Sequence, residues 1–183
     1  MSATLAPQGL VPARHPSGTI RVENQVDGIL SGYTSNIFTG TPVMRGTDGT
    51  LQVTSGAAGA CIGVFAGCEF TAATKRFVLP YFPAGQTYDA GSMIAKYTAD
   101  YDIIFEGQSL GPVPMTAMGE ACNIGAVTGS TFTGFSTQAL SAPTGATAGT
   151  FTIVGLSAYD DNRWGDLFTR ILVQINAKQA QIA

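Results

Sequence analysis

Charge is what this sequence has least of. Asp, Glu, Lys and Arg make up 11% of its 183 residues, where an ordinary soluble domain carries about 25%. The nine Lys and Arg residues are scattered and the formal net charge is −3. No basic face can be assembled from them, which excludes nucleic acid as a partner. Between Gly107 and Tyr159 the only charged residue is Glu120. A free monomer keeps apart from its copies through interspersed charge. A surface made of Thr, Ser, Ala and Gly is therefore expected to be covered by other copies or by another protein.

Long apolar runs and helix-forming stretches are missing as well. A membrane span takes about 20 consecutive apolar residues, and Gly or polar residues interrupt every candidate, so no membrane partner is expected. A secretory leader needs an apolar run of about 7–15 residues behind basic ones, and the opening residues have none. With 23 glycines, no stretch reads as a long helix. The three cysteines, Cys61, Cys68 and Cys122, are odd in number and suit a reducing compartment. Their spacing and company do not suit zinc, so they read as small buried hydrophobes.

The groups that carry chemistry are equally sparse. His15, the sole histidine, lies between Arg14 and Pro16 in a segment that cannot hold it near a nucleophile. Asp100 and Asp102 flank Tyr101, and Asp160 adjoins Asp161. Such pairs can bind calcium or cleave glycosides, but here they open a strand and fill a turn, where local backbone bonding favours Asp. Neither a GxxxxGK[ST] loop nor a helix-opening GxGxxG is present. The expectation is a protein that is not an enzyme and uses no cofactor or metal.

The sequence does contain, first, the stretch LAPQGLVPARHPSGTI, Leu5 to Ile20. Pro7, Pro12 and Pro16 lack amide donors and push their predecessors into extended geometry, which excludes a helix and a central strand. Residues 1–20 are expected to form an extended arm that orders on a partner, with Leu5, Leu10 and Val11 as apolar anchors. Deleting Ser2–Ser17 should then leave a folded body.

Behind the arm, residues 21–178 read as one all-β domain, an antiparallel β-barrel or sandwich. Short runs rich in Val, Ile, Thr, Phe and Tyr recur at 36–44, 51–54, 60–70, 75–79, 93–97, 102–106, 151–157 and 167–175. The Asp48–Gly49 pair is expected to supply the positive φ angles of a hairpin turn. Along 167–175, Leu167, Thr169, Ile171, Val173 and Ile175 share one face, expected to belong to the core. Residues 107–150 read as a long loop or interface excursion, and 179–183 as a loose tail. Trp164, at the tip of DDNRWGD, is either an interface anchor together with Tyr159 and Arg163 or a cap on the core.

Three pieces, APQGLVPARHPSGTIR, ACIGVFAGCEFTAATKRFVLPYFPAGQTYD and GLSAYDDNRWGDLFTRILVQIN, resemble in their order the virion structural proteins of tailed bacteriophages, small head proteins that accompany the major capsid protein. A looser similarity runs to lambda-type head decoration proteins, whose trimers reach across the shell with an N-terminal arm. The resemblance implies a capsid cement or decoration protein, assembled in the host cytoplasm and resident in the virion. Its implied partners are the major capsid protein and its own copies, a trimer before a dimer. On this view Leu5, Pro7, Leu10, Val11, Pro12, Arg14, His15 and Pro16 would contact the capsid. A virion-displayed host- or carbohydrate-binding module is the alternative, with Tyr159 and Trp164 as its nearest candidates.

Overall fold

The computed structural model describes residues 4–54 and 60–176, so the expected tail at 179–183 lies outside the described residues. The strands are β1 (Val11–Arg14), β2 (Glu23–Val26), β3 (Ile37–Phe38), β4 (Pro42–Arg45), β5 (Leu51–Val53), β6 (Gly63–Ala72), β7 (Lys75–Leu79), β8 (Tyr81–Phe82), β9 (Ile94–Thr98), β10 (Ile104–Gln108), β11 (Ala121–Cys122), β12 (Phe151–Leu156) and β13 (Arg170–Ile175). Among the described residues the only helical element is one 3-10 turn at Met115–Ala117.

The strands form antiparallel sheets that pack as a sandwich. The first runs in the order β1-β10-β13-β12-β11, the second in the order β2-β9-β6-β4-β5 with β7 also on β6, and β3 pairs with β8 alone. Their edges stay open, so of the two expected architectures the protein is sandwich-like and not a closed barrel.

Alternation builds the central strand of the first sheet. In β13 the β-branched Ile171, Val173 and Ile175 are buried, while Arg170, Leu172 and Gln174 are partly exposed. These side chains join Leu10, Phe105, Phe151 and Ile153 in one apolar cluster. A second cluster gathers Ile37, Val43, Phe65, Phe70, Phe82 and Met93. Strand β6 feeds both through a bulge. Its register to β9 steps from Phe65↔Tyr97 to Gly67↔Lys96, so Ala66 turns out to solvent and the alternation is offset by one residue. Val64 therefore enters the first cluster, and Phe65, Cys68 and Phe70 all enter the second.

Several expectations need correction. The run at 36–44 is two short strands, broken where Gly40 adopts φ 90°. Strand β13 begins at Arg170, and Leu167, expected in the core, is 58% exposed on the preceding turn. In the β4–β5 turn only Gly49 takes positive φ. Asp48 instead accepts from the Thr50 amide and hydroxyl at 3.0 and 2.8 Å, bonds that lower its carboxyl pKa. Residues 107–150, read as a long loop or interface excursion, also contribute to the core of their own chain. Val113, Ala117, Cys122, Ile124 and Leu140 enter the first cluster, the Leu110 amide donates to Leu140 O at 2.9 Å and the Leu140 amide donates to Gln108 O at 2.8 Å.

Candidate functional site

The N-terminal segment is bound in cis. Val11 pairs with Glu106 and Pro12 with Phe105, which places β1 at the edge of the first sheet, the one position where a proline costs no ladder bond. Leu10 is 1% exposed and belongs to the first cluster. Its amide donates to Gly40 O at 2.8 Å. The crossing requires two glycines. A Cβ on Gly9 would stand 2.5 Å from Gly40 O, and both residues hold positive φ. Further out, the buried Gln108 side chain imitates a strand, accepting from the Ala6 amide at 2.8 Å and donating to Thr4 O at 3.0 Å.

The eight candidate arm residues therefore divide. Leu10 is core, whereas Leu5, Val11, Arg14 and Pro16 are exposed and Pro7, Pro12 and His15 lie between. A body lacking Ser2–Ser17 would lose a core leucine and an edge strand, which revises the expectation that it stays intact.

The Tyr159–Trp164 loop is equally engaged. Buried Asn162 ties its ends together, donating to Ser157 O and Arg170 O at 2.8 Å each and accepting from the Arg170 amide at 2.9 Å. Trp164 is half-buried against the first cluster. The Tyr159 ring is covered by the Arg170 guanidinium, 5.1 Å from its centroid. Arg163 is exposed, and its amide donates to Asp166 Oδ2 at 2.8 Å. Tyr159 nevertheless stays 48% exposed, so of the two aromatic rings it is the one this loop offers to solvent.

Other exposed apolar groups lie elsewhere. Phe132, at the tip of the turn 131–133, is 97% exposed, and Leu110, Met115, Met118 and Phe135 are more than half exposed in the same charge-poor segment. Beside them Pro7, Gln8, Thr133, Phe135, Ser136 and Thr137 line a recess of about 270 Å³. The β6–β7 hairpin adds Phe77 and Val78 on an outward strand whose first four residues are all exposed. Its two-residue turn carries positive φ at Ala73 (48°) and Thr74 (67°). Phe77 stacks on Phe70 with centroids 5.4 Å apart. Arg76 donates to Glu69 at 2.8 Å and holds that carboxyl below its ordinary range.

One cluster was invisible in the sequence. The pairing of β1 with β10 brings His15, just past β1, against the β9–β10 turn, where its Nε2 lies 3.0 Å from Asp100 Oδ2. One ligand atom each from His15, Asp100 and Asp102 falls within 4.8 Å of the others. The Ser17 amide donates to His15 Nδ1 at 3.0 Å, and Ser17 Oγ lies 2.6 Å from the same nitrogen. Serine, histidine and aspartate thus line up in the order of a nucleophile, base and orienting acid. A general base needs a free lone pair facing the hydroxyl, and here a backbone amide occupies it. Only knowledge that residues 11–14 form an edge strand opposite residues 104–106 would have linked His15 to the acid pair.

The three cysteines are free and buried, and burial pushes each thiol up to about 12. Cys61 and Cys68 sit in different apolar clusters. No family profile, characterised protein or solved structure matches the chain.

Proposed function

We propose that the protein is a non-enzymatic capsid cement or decoration protein, which binds the outer surface of a phage head lattice and stabilises it as a homo-oligomer. The observation that carries this reading is Phe132, 97% exposed on a segment with a single charge. A large aromatic held in water serves no folding purpose, and such residues anchor interfaces. The sandwich supplies a rigid base for it, and repetition over a lattice converts weak single contacts into avidity. The cis-bound N-terminal segment acts in this scheme as a strap, with Leu5, Val11 and Arg14 on its outer side available to the capsid protein.

The test is light scattering of the purified protein followed by co-sedimentation with empty heads, for wild type and Phe132→Ser. Removing a buried aromatic anchor forfeits about 1.5–3 kcal/mol, which is about 10- to 150-fold in affinity. The expected outcome is an oligomer that pellets with heads and a folded Phe132→Ser variant that pellets at least tenfold more weakly. A wild-type monomer that stays in the supernatant would refute the proposal. Glycan binding abolished by Trp164→Ala would support the carbohydrate-binding alternative instead.

A further inference from the structure

We infer that His15, Asp100 and Asp102 form a divalent-cation site with the ligand preference of zinc, which fastens the N-terminal strap to the β9–β10 turn. Three independent features converge there. First, the donor set comes from two segments far apart in the chain: an imidazole from beyond β1 and two carboxylates on one short turn, with all three ligand atoms within 4.8 Å. Second, Nε2 of His15 is buried without a hydrogen-bond partner. Its 3.0 Å approach to Asp100 Oδ2 is close enough for an ion pair but is not a directed hydrogen bond, so the nitrogen's bonding direction remains unused. Third, the two carboxylates repel one another, and among the described residues neither pairs with a lysine or arginine.

The geometry suits a small cation. Donors around a tetrahedral zinc at about 2.0–2.1 Å stand about 3.3 Å apart. The His15–Asp100 pair lies close to that spacing at 3.0 Å, and a carboxylate oxygen of exposed Asp102 falls within 4.8 Å of both. Asp100 is held in place because its Oδ1 accepts the Asp102 amide at 2.9 Å. Binding a metal at Nε2 would move the imidazole proton to Nδ1, where Ser17 Oγ at 2.6 Å would accept it and the Ser17 amide would give up its present bond to that nitrogen. One imidazole with two carboxylates selects zinc and its neighbours over calcium and magnesium, which take oxygen ligands almost exclusively. A recess of about 620 Å³ lined by Arg21, Glu23, Tyr97, Asp100, Tyr101 and Asp102 opens the turn to solvent, so water can complete the coordination.

Calorimetric titration of tag-free, full-length protein with ZnCl2, and separately with CaCl2, tests the site. One zinc per chain is expected, with a rise in Tm on saturation. His15→Ala should abolish that response and Asp102→Asn, on an exposed turn, should weaken binding at least tenfold without lowering the zinc-free Tm. Should His15→Ala fail to fold, Asp102→Asn and the zinc-to-calcium ratio decide. Absence of zinc binding, zinc binding undiminished in Asp102→Asn, or calcium binding as tight as zinc would each overturn the inference.

Discussion

Leu10→Ala separates a strap that belongs to the fold from an arm that waits for a partner. Leu10 is 1% exposed, and a Cβ placed on Gly107 would meet its Cδ2 at 3.0 Å and Leu140 Cδ1 at 2.7 Å, so the two leucines close over that glycine from both sides. Little backbone can collapse into the space the truncation leaves. A Leu→Ala change in such a setting costs about 2–5 kcal/mol, and the tight flanking contacts place this one near about 3. That is a large part of the total stability of about 5–15 kcal/mol that a domain commands. Leu5→Ala is the internal control, because Leu5 is 44% exposed and outside both clusters, so its loss should fall within about 0.5 kcal/mol. Urea denaturation, compared at constant m-value, measures both. Equal, small losses for the two variants would refute the strap and restore the free arm.

The β6–β7 turn should be improvable. Ala73 and Thr74 both hold left-handed backbone, and the Asn-Gly pair suits such a turn far better. The double change Ala73→Asn and Thr74→Gly is expected to gain about 1 kcal/mol, read as a Tm rise of about 2–4 °C, and a fall in Tm would show that the turn does not hold this conformation. The thiols set an alkaline limit. They ionise near 9.0 in an unfolded chain and at about 12 when folded, so above pH 9 the unfolded state sheds protons that the folded state keeps. Stability is intact below that pH and then falls by up to about 1.4 kcal/mol per thiol per pH unit. Denaturation midpoints at pH 8 and 10 for wild type and the Cys→Ala variants check this, and an equal decline without the cysteines would refute the assignment.

What could be read from the sequence was what repeats locally. The alternation in 170–175, the apolar run through 63–70 and the Gly49 turn all produce signals within ten residues, and each marks an element of the sandwich. Gly40 broke the run at 36–44 without announcing itself, because a glycine needed for close approach to Gly9 looks like any other. The role of Leu10 was hidden for a different reason. Its segment has no periodicity, and its partners, Gly40 and β10, are fixed only by the tertiary fold. The same non-local pairing concealed the company His15 keeps. Leu167 continued a period-two pattern that the chain abandons at a turn held by Asn162 and Asp166.

The order of strands in the first sheet bears on how the protein is made. Residues 23–98 contain every strand of the second sheet, which can close while the chain is still emerging from the ribosome. The first sheet cannot, for its middle strand is β13, the last of the described strands to be synthesised. Until it appears, β10 and β12 have no common neighbour, and β1 has only a one-sided strand to dock on. Long-range closure of this kind is slow, and the sheet on which the strap docks stays incomplete until translation has passed residue 175.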